Sequence, residues 1–471
     1  MIEFGIFTLN IEAVAAFFSQ PILSIVYELF VIGGYLFLVY AALHIGIMYY
    51  VEYRSAKMNK DWKWIVLAVD VPPMNLQTPK AVEQMFSHLA GAYNKPDIAE
   101  KFRGGFEQRW FSFEIISIEG YIQFIIRTEE SFRDLVAAAM YAQYPDAEIT
   151  EVEDYVTTVP KTYPNKEYDM WGGDFGLVND DAYPIRTYEE FEHKISKDTE
   201  LKDPMSAFLE SFSRIGPGEQ MWFQMLVRPT GGAWKEKAIA KIKELIGEKV
   251  EKKGNKFADM VTNGSMKMLE GIGDQVFNRE AGIPGAAGSE DNGPPNKLSS
   301  FTPGQRRVVE SMEDKISKVG FKCKIRAVYV ARKEVFRPNR GVNALIGAIN
   351  QFNVPTANAI VPKAGVGASY FFAEKRTGTK KTQMMAAFRK RKINSGSTPF
   401  ILNTEELATV WHFPMSHVRV PLVQKVEAKQ SEPPVGLPVE RIAPPTQAPP
   451  EAPGKKPGTD AYGYGDGMQF G

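Results

Sequence analysis

The sequence predicts an α+β protein. It begins with a transmembrane helix, continues through a ferredoxin-like (split βαβ) module and a second α+β region, and ends in a disordered Pro/Gly-rich tail. Three observations carry that expectation. One is the run of residues 30–50, which contains no Asp, Glu, Lys or Arg. Another is the succession strand, helix, strand, strand, helix, strand over residues 60–155. The last is the sharp shift to Pro, Glu, Ala and Gly over residues 429–471.

The 471 residues are 44% apolar and 24% charged, with zero formal net charge. Those fractions suit a packed core, and the zero balance leaves no global field to attract nucleic acid or acidic ligands. Electrostatic recognition must therefore be local. A single cysteine, Cys323, excludes a disulfide within the chain and any two-cysteine zinc site.

At the N-terminus, Ile11, Val14, Ala15 and Phe18 recur at helical spacing, so residues 1–21 are expected to form an extracytoplasmic or interfacial amphipathic segment. Residues 22–53 hold the expected membrane helix, because about 20 apolar residues cross a bilayer. Tyr49, Tyr50 and Tyr53 would sit at the headgroup level. Arg54, Lys57, Lys60 and Lys63 follow directly, and no Lys or Arg precedes them. The positive-inside rule then places the N-terminus outside and the remainder in the cytoplasm, giving a single-pass protein of the cytoplasmic (inner) membrane with lipid as one partner.

Residues 64–71 read as a buried strand. Thr78-Pro79 opens a helix whose apolar face takes Val82, Met85, Phe86 and Leu89. Residues 110–118 alternate with period two, Glu119-Gly120 forms a tight turn, and residues 121–127 return as the second arm of a hairpin. A helix over 131–144 stops at Pro145, and residues 147–152 supply the last strand. The second region, 168–425, has its clearest strands at 221–227 and 321–330. They are candidates for one sheet interrupted by a long insertion that includes a mobile loop at 281–300. Lys322, Lys324 and Arg326 alternate with apolar residues, so one face of the later strand is expected to be solvated. Helices are expected at 204–214, 233–247, 303–317 and 341–351.

Chemistry-bearing motifs are few. A P-loop needs G-x-x-x-x-G-K-[ST] to cradle phosphates, and the nearest run, 376–382, lacks the first glycine and the spacing. The five histidines form no ligand set: Pro414 separates His412 from His417, and no carboxylate cluster adjoins them. No catalytic residue, cofactor or metal site is expected. Two segments stand out. Lys375, Arg376, Lys380, Lys381, Arg389, Lys390, Arg391 and Lys392 fall within 18 residues, with Phe371, Phe372 and Phe388 interleaved. Such a patch suits phosphate backbone, anionic lipid, an acidic partner, or a merely solvated helix. The other segment is 400–414, where Thr404 would cap a short helix and Trp411, Phe413 and Pro414 would end it against an apolar surface.

The string from Glu406 to Pro414 (Glu-Leu-Ala-Thr-Val-Trp-His-Phe-Pro) resembles the segment that closes the non-motor N-terminal part of ATPases in conjugative DNA transfer and type IV secretion. Residues 111–152 are similar to an uncharacterised family of membrane-anchored proteins from small-genome candidate-phylum bacteria. There the matching residues are Arg127-Thr-x-x-x-Phe132-Arg-x-Leu and Tyr141-Ala-Gln-Tyr-Pro145-Asp-Ala-Glu. The resemblances imply a non-enzymatic, membrane-anchored adaptor in an oligomeric secretion, conjugation or DNA-uptake apparatus. It would dock a separate cytoplasmic P-loop ATPase through the ferredoxin-like region and Glu406, Leu407, Trp411, His412, Phe413 and Pro414. The alternative is a membrane-proximal nucleic-acid-binding protein that grips DNA with residues 375–392.

Overall fold

The computed structural model describes residues 2–4, 7–9, 19–31, 35–72, 75–97, 99–191, 203–247 and 301–415. The expected loop at 281–300 and tail at 429–471 lie outside them. At the start of the chain, β1 (Ile2–Phe4) and β2 (Phe7–Leu9) pair antiparallel. An interfacial helix beginning near residue 4 is thereby corrected to a short hairpin. Ile11, Val14, Ala15 and Phe18 lie outside the described residues.

Two helices follow, α1 (Ile22–Leu29) and α2 (Tyr35–Met58). Among the described residues, no helix is long and apolar enough to cross a membrane. This overturns the expected transmembrane helix, and with it the single-pass inner-membrane placement. The physical reason lies in where α2 begins. Its apolar part runs from Tyr35 to Val51, before Glu52 and Arg54, and at about 1.5 Å per residue spans roughly 25 Å, short of a hydrocarbon layer of about 30 Å. Four tyrosines and His44 within that stretch lower its hydropathy further.

The body is α+β, built on one large antiparallel sheet. Its first half comprises β3 (Trp64–Asp70), α3 (Pro79–Leu89), β4 (Phe111–Ile118), β5 (Tyr121–Glu129), α4 (Arg133–Tyr141) and β6 (Glu148–Glu151). Glu119 and Gly120 both take positive φ, +55° and +95°, and turn β4 tightly into β5. The strands lie side by side as β6-β3-β5-β4, every pair antiparallel, which is the split βαβ arrangement.

The second half repeats that order. It comprises β7 (Tyr168–Leu177), α5 (Met205–Ser213), β8 (Glu219–Pro229), β9 (Gly320–Arg332), α8 (Pro338–Asn350) and β10 (Ile360–Gly365), with α6 (Ala233–Ile246) and α7 (Pro303–Ser317) between β8 and β9. Its strands lie as β10-β7-β9-β8. In each half the fourth strand is outermost, followed by the first, third and second. The second strands of the two halves join antiparallel, Phe111 opposite Val227 through Ile118 opposite Gln220. The molecule is thus two ferredoxin-like units sharing one continuous sheet, related by an approximate two-fold axis between β4 and β8. Residues 60–155 and 168–425 do not form separate sheets.

One face carries a helical layer. Met85 and Phe86 of α3, Met140 of α4, Phe208 and Phe212 of α5, and Leu345 and Ile349 of α8 share a continuous core with Phe113, Phe124, Phe223 and Tyr329 from the strands. Against the other face lies α9 (Ala373–Arg389), whose Met385 and Phe388 pack on Trp222, Val328 and Val330. The chain then forms β11 (Phe400–Asn403), paired with β9, and α10 (Thr404–Val410). The cap of α10 is Asn403 rather than Thr404. Its side chain accepts from the Glu406 N–H at 2.8 Å, while Glu406 accepts from the Asn403 N–H at 2.9 Å.

Candidate functional site

Residues 400–413 are all buried, so the segment expected to dock a partner is instead an internal strap. Trp411 has no exposed surface, and its ring meets Phe113 at 4.9 Å, Phe124 at 5.7 Å and Phe413 at 5.0 Å. Phe413 also packs edge-on against Tyr144. These contacts grip the first half of the sheet. Polar contacts grip the second. Glu406 pairs with Lys315 at 3.1 Å and accepts from the Ile185 N–H. His412 places Nε2 2.9 Å from Asp203 and Nδ1 2.7 Å from the Ala408 carbonyl. Leu407 is fully buried and Pro414 half-buried. Burial pushes the Glu406 carboxyl up despite Lys315. For Asp203 burial pushes the same way, but the charge and hydrogen bond of His412 outweigh it and hold the carboxyl low. The strap therefore sutures the two halves, and its aromatic residues have no free face for another chain.

The basic segment divides in two. Arg391 is fully buried at φ +48°. It donates to both oxygens of Glu114, Nε at 3.0 Å and Nη2 at 3.1 Å, and to Asp154 at 2.5 and 2.9 Å. Glu114 also accepts from Tyr155 at 2.8 Å, Gln224 at 3.0 Å and the Ser112 hydroxyl. Burial would raise its pKa, but the Arg391 charge and these donors reverse the shift and keep it below the usual carboxylate range. A carboxylate so saturated with donors has no lone pair to offer as a general base. Arg127 stacks over Trp64, and burial, with repulsion from Arg391, lowers it to about 10. Arg389 donates to the carbonyls of Val156 and Val159, and Lys381 pairs with Asp169. These three basic residues of the expected patch (Arg389, Arg391 and Lys381) fasten α9 to the sheet.

A second buried knot lies under the loop after α9. Asp174 accepts from Arg326 Nε and from the Ser397 N–H, both at 2.8 Å, with Lys324 at 3.5 Å. Gly396, at φ +85°, has the Asp174 carboxylate where a Cβ would project. Lys324 and Arg326 are buried, which corrects the solvated strand face expected there. Burial, only partly opposed by Asp174, lowers Lys324 to about 8. Cys323 is buried too, and burial pushes its thiol up, so it is an inert apolar group. Among the described residues, no three His, Cys, Asp or Glu are placed to hold a metal ion; His417 lies outside those residues.

What remains on the surface is the other end of the basic segment. Between β10 and α9, Tyr370, Phe371 and Phe372 are 88%, 87% and 82% exposed. Tyr370 and Phe372 both take positive φ, +68° and +54°, a conformation bulky residues rarely adopt. Arg376 donates to the Ser369 carbonyl at 3.1 Å and Lys380 to Gly367 at 2.8 Å, pinning the loop to the first turns of α9. Lys375, Lys390 and Lys392 are exposed. The sequence pattern picked out the cations and two of the three rings. It missed Tyr370, the buried acceptors Glu114 and Asp174, and the half-buried Asp154. A charged residue in the apolar strand 111–118 was the available signal for the first of those acceptors.

Residues 68–425 match a protein family described as Domain of unknown function (DUF8128). The chain belongs to that family. The DUF8128 match begins within β3 and ends beyond the strap, so both sheet halves, α9 and the exposed loop fall inside it, and α1 and α2 fall outside. No curated protein matches the chain.

Proposed function

We propose that this DUF8128 protein is a non-enzymatic adaptor of a secretion, conjugation or DNA-uptake-type apparatus, working beside a separate P-loop ATPase. The observation that supports the reading is the uncovered apolar surface of α1 and α2. Ile22, Leu23, Leu36, Leu38, Leu43, Ile47 and Met48 are all more than half exposed. A helix apolar on every side is ordinarily covered on every side, and contiguous apolar patches of this extent mark interaction surfaces. The 471 residues contain no P-loop, and the proposed ATPase is a separate chain. Because the strap at 400–414 is internal, docking is assigned to α1 and α2, with a helical apolar surface of the ATPase as occupant.

Co-expression of the full chain with a hexameric-type P-loop ATPase encoded beside it tests the reading. Near-stoichiometric co-purification is expected, and Leu43→Glu with Ile47→Glu should abolish it while leaving the near-ultraviolet circular dichroism of the body unchanged. Absence of a complex, or a complex indifferent to those substitutions, overturns the proposal.

A further inference from the structure

We propose that the loop bearing Tyr370, Phe371 and Phe372, with the cations at the start of α9, binds single-stranded nucleic acid. The proposal stands independently of the adaptor reading. Three aromatic side chains in succession lie almost wholly in solvent, and none meets another aromatic ring among the described residues. The rings are therefore largely open to solvent. Base–aromatic stacking needs accessible ring faces and tolerates any sequence.

The flanking chemistry matches the other half of a nucleotide. Lys375, Arg376 and Lys380 fall within the first eight residues of α9, opposed there only by Glu374. Arg376 and Lys380 spend one hydrogen bond each on loop carbonyls, which holds the rings beside the charges while leaving both cations further donors for phosphate. The residues before the rings, Gly367-Ala-Ser369, are small and permit close approach of a sugar–phosphate backbone.

Two observations favour a single strand over a duplex or a lipid surface. A duplex buries its base faces in its own stack, so exposed rings would find no partner there. Lipid insertion would also use aliphatic side chains. The exposed apolar residues here are aromatic alone, because Val366 is buried, and among the described residues the largest concentration of exposed aliphatic side chains lies on α1 and α2.

Fluorescence anisotropy of the full chain with a labelled oligodeoxythymidine of about 20 nucleotides tests the proposal. Binding is expected to weaken as potassium chloride rises from about 50 to 200 mM, with a log–log slope of about −0.7 for each phosphate contacted. Phe371→Ala and Phe372→Ala should each weaken binding about tenfold. Lys375→Glu with Arg376→Glu should weaken it and flatten the salt slope. The residues are exposed, so circular dichroism and melting should not change, which separates lost binding from lost folding. A matched duplex should bind more weakly. The proposal is overturned by no binding at about 50 mM salt, by indifference to the Phe→Ala changes, or by equal affinity for the duplex. It is likewise overturned if those phenylalanines govern sedimentation with phosphatidylglycerol vesicles but not oligonucleotide binding.

Discussion

Two aromatic triplets, Tyr370-Phe371-Phe372 and Trp411-His412-Phe413, lie about 40 residues apart and have opposite fates. The second is wholly buried against Phe113, Phe124 and Tyr144; the first is almost wholly exposed. Composition does not separate them. What does is the element that delivers each. β11 feeds the strap into the seam between two sheet halves, where apolar walls wait on one side and Asp203 and Lys315 on the other. The loop at 370 leaves the outermost strand, β10, and turns away from the sheet before α9 returns. Aromatic density therefore marks a contact surface only where the fold provides no internal partner.

That contrast is open to direct measurement. Trp411→Ala should cost about 3–5 kcal/mol in urea unfolding, the range for deleting a buried large aromatic. A value under about 1 kcal/mol would mean that the strap is peripheral. Arg391→Met should cost a similar amount or slightly less, because Glu114 and Asp154 then lose the partner that offsets their burial. Adding Glu114→Gln to Arg391→Met should recover part of that loss, and a purely additive pair would refute the coupling.

The pH profile comes next in size. Glu114 and Asp203 sit below their ordinary range in the folded protein, so their contribution is present above about pH 4 and is lost as pH falls through their folded values. Glu406 is shifted up and acts in the opposite sense, its contribution being lost as pH rises through its folded value. Urea midpoints between about pH 7 and pH 3 should therefore fall with acid. Asp203→Asn should lower the neutral plateau and flatten the descent; an unchanged descent would show that His412 does not hold Asp203 ionised. The smallest effect belongs to the exposed triplet. Phe371→Ala and Phe372→Ala should alter stability by no more than about 0.5 kcal/mol, and a larger loss would mean that the rings pack on the body.

Much of the architecture is legible in the sequence because its periodicities are clean. Helical spacing at Val82, Met85, Phe86 and Leu89 follows from the face that α3 buries, and period two over 110–118 sets the apolar face of β4 against a second face that is also buried but holds polar Ser112 and Glu114. The union of β4 with β8 is not legible, since an apolar strand declares that it is buried but not beside what. Nor could alternation at Lys322, Lys324 and Arg326 distinguish water from a buried carboxylate; Asp174 lies about 150 residues away in sequence. Arg391 looked like one more surface cation for the same reason. The apolar run at 30–50 misled through its length, because a run of letters does not fix where a helix starts, and α2 starts at Tyr35.

The position of the strap also imposes an order on biosynthesis. Trp411 and Phe413 leave the ribosome about 350 residues after β3, which at about 5–20 residues per second is roughly 20–70 s later. Until then the seam lined by Phe113 and Phe124 lacks the aromatic residues that fill it, and the second sheet half becomes available to pair only as β7 to β10 are made. Both halves are complete only after β10 ends at Gly365, so the apolar cleft between them stands open for about 46 residues, or roughly 2–9 s, until the last tryptophan, Trp411, arrives to lock it.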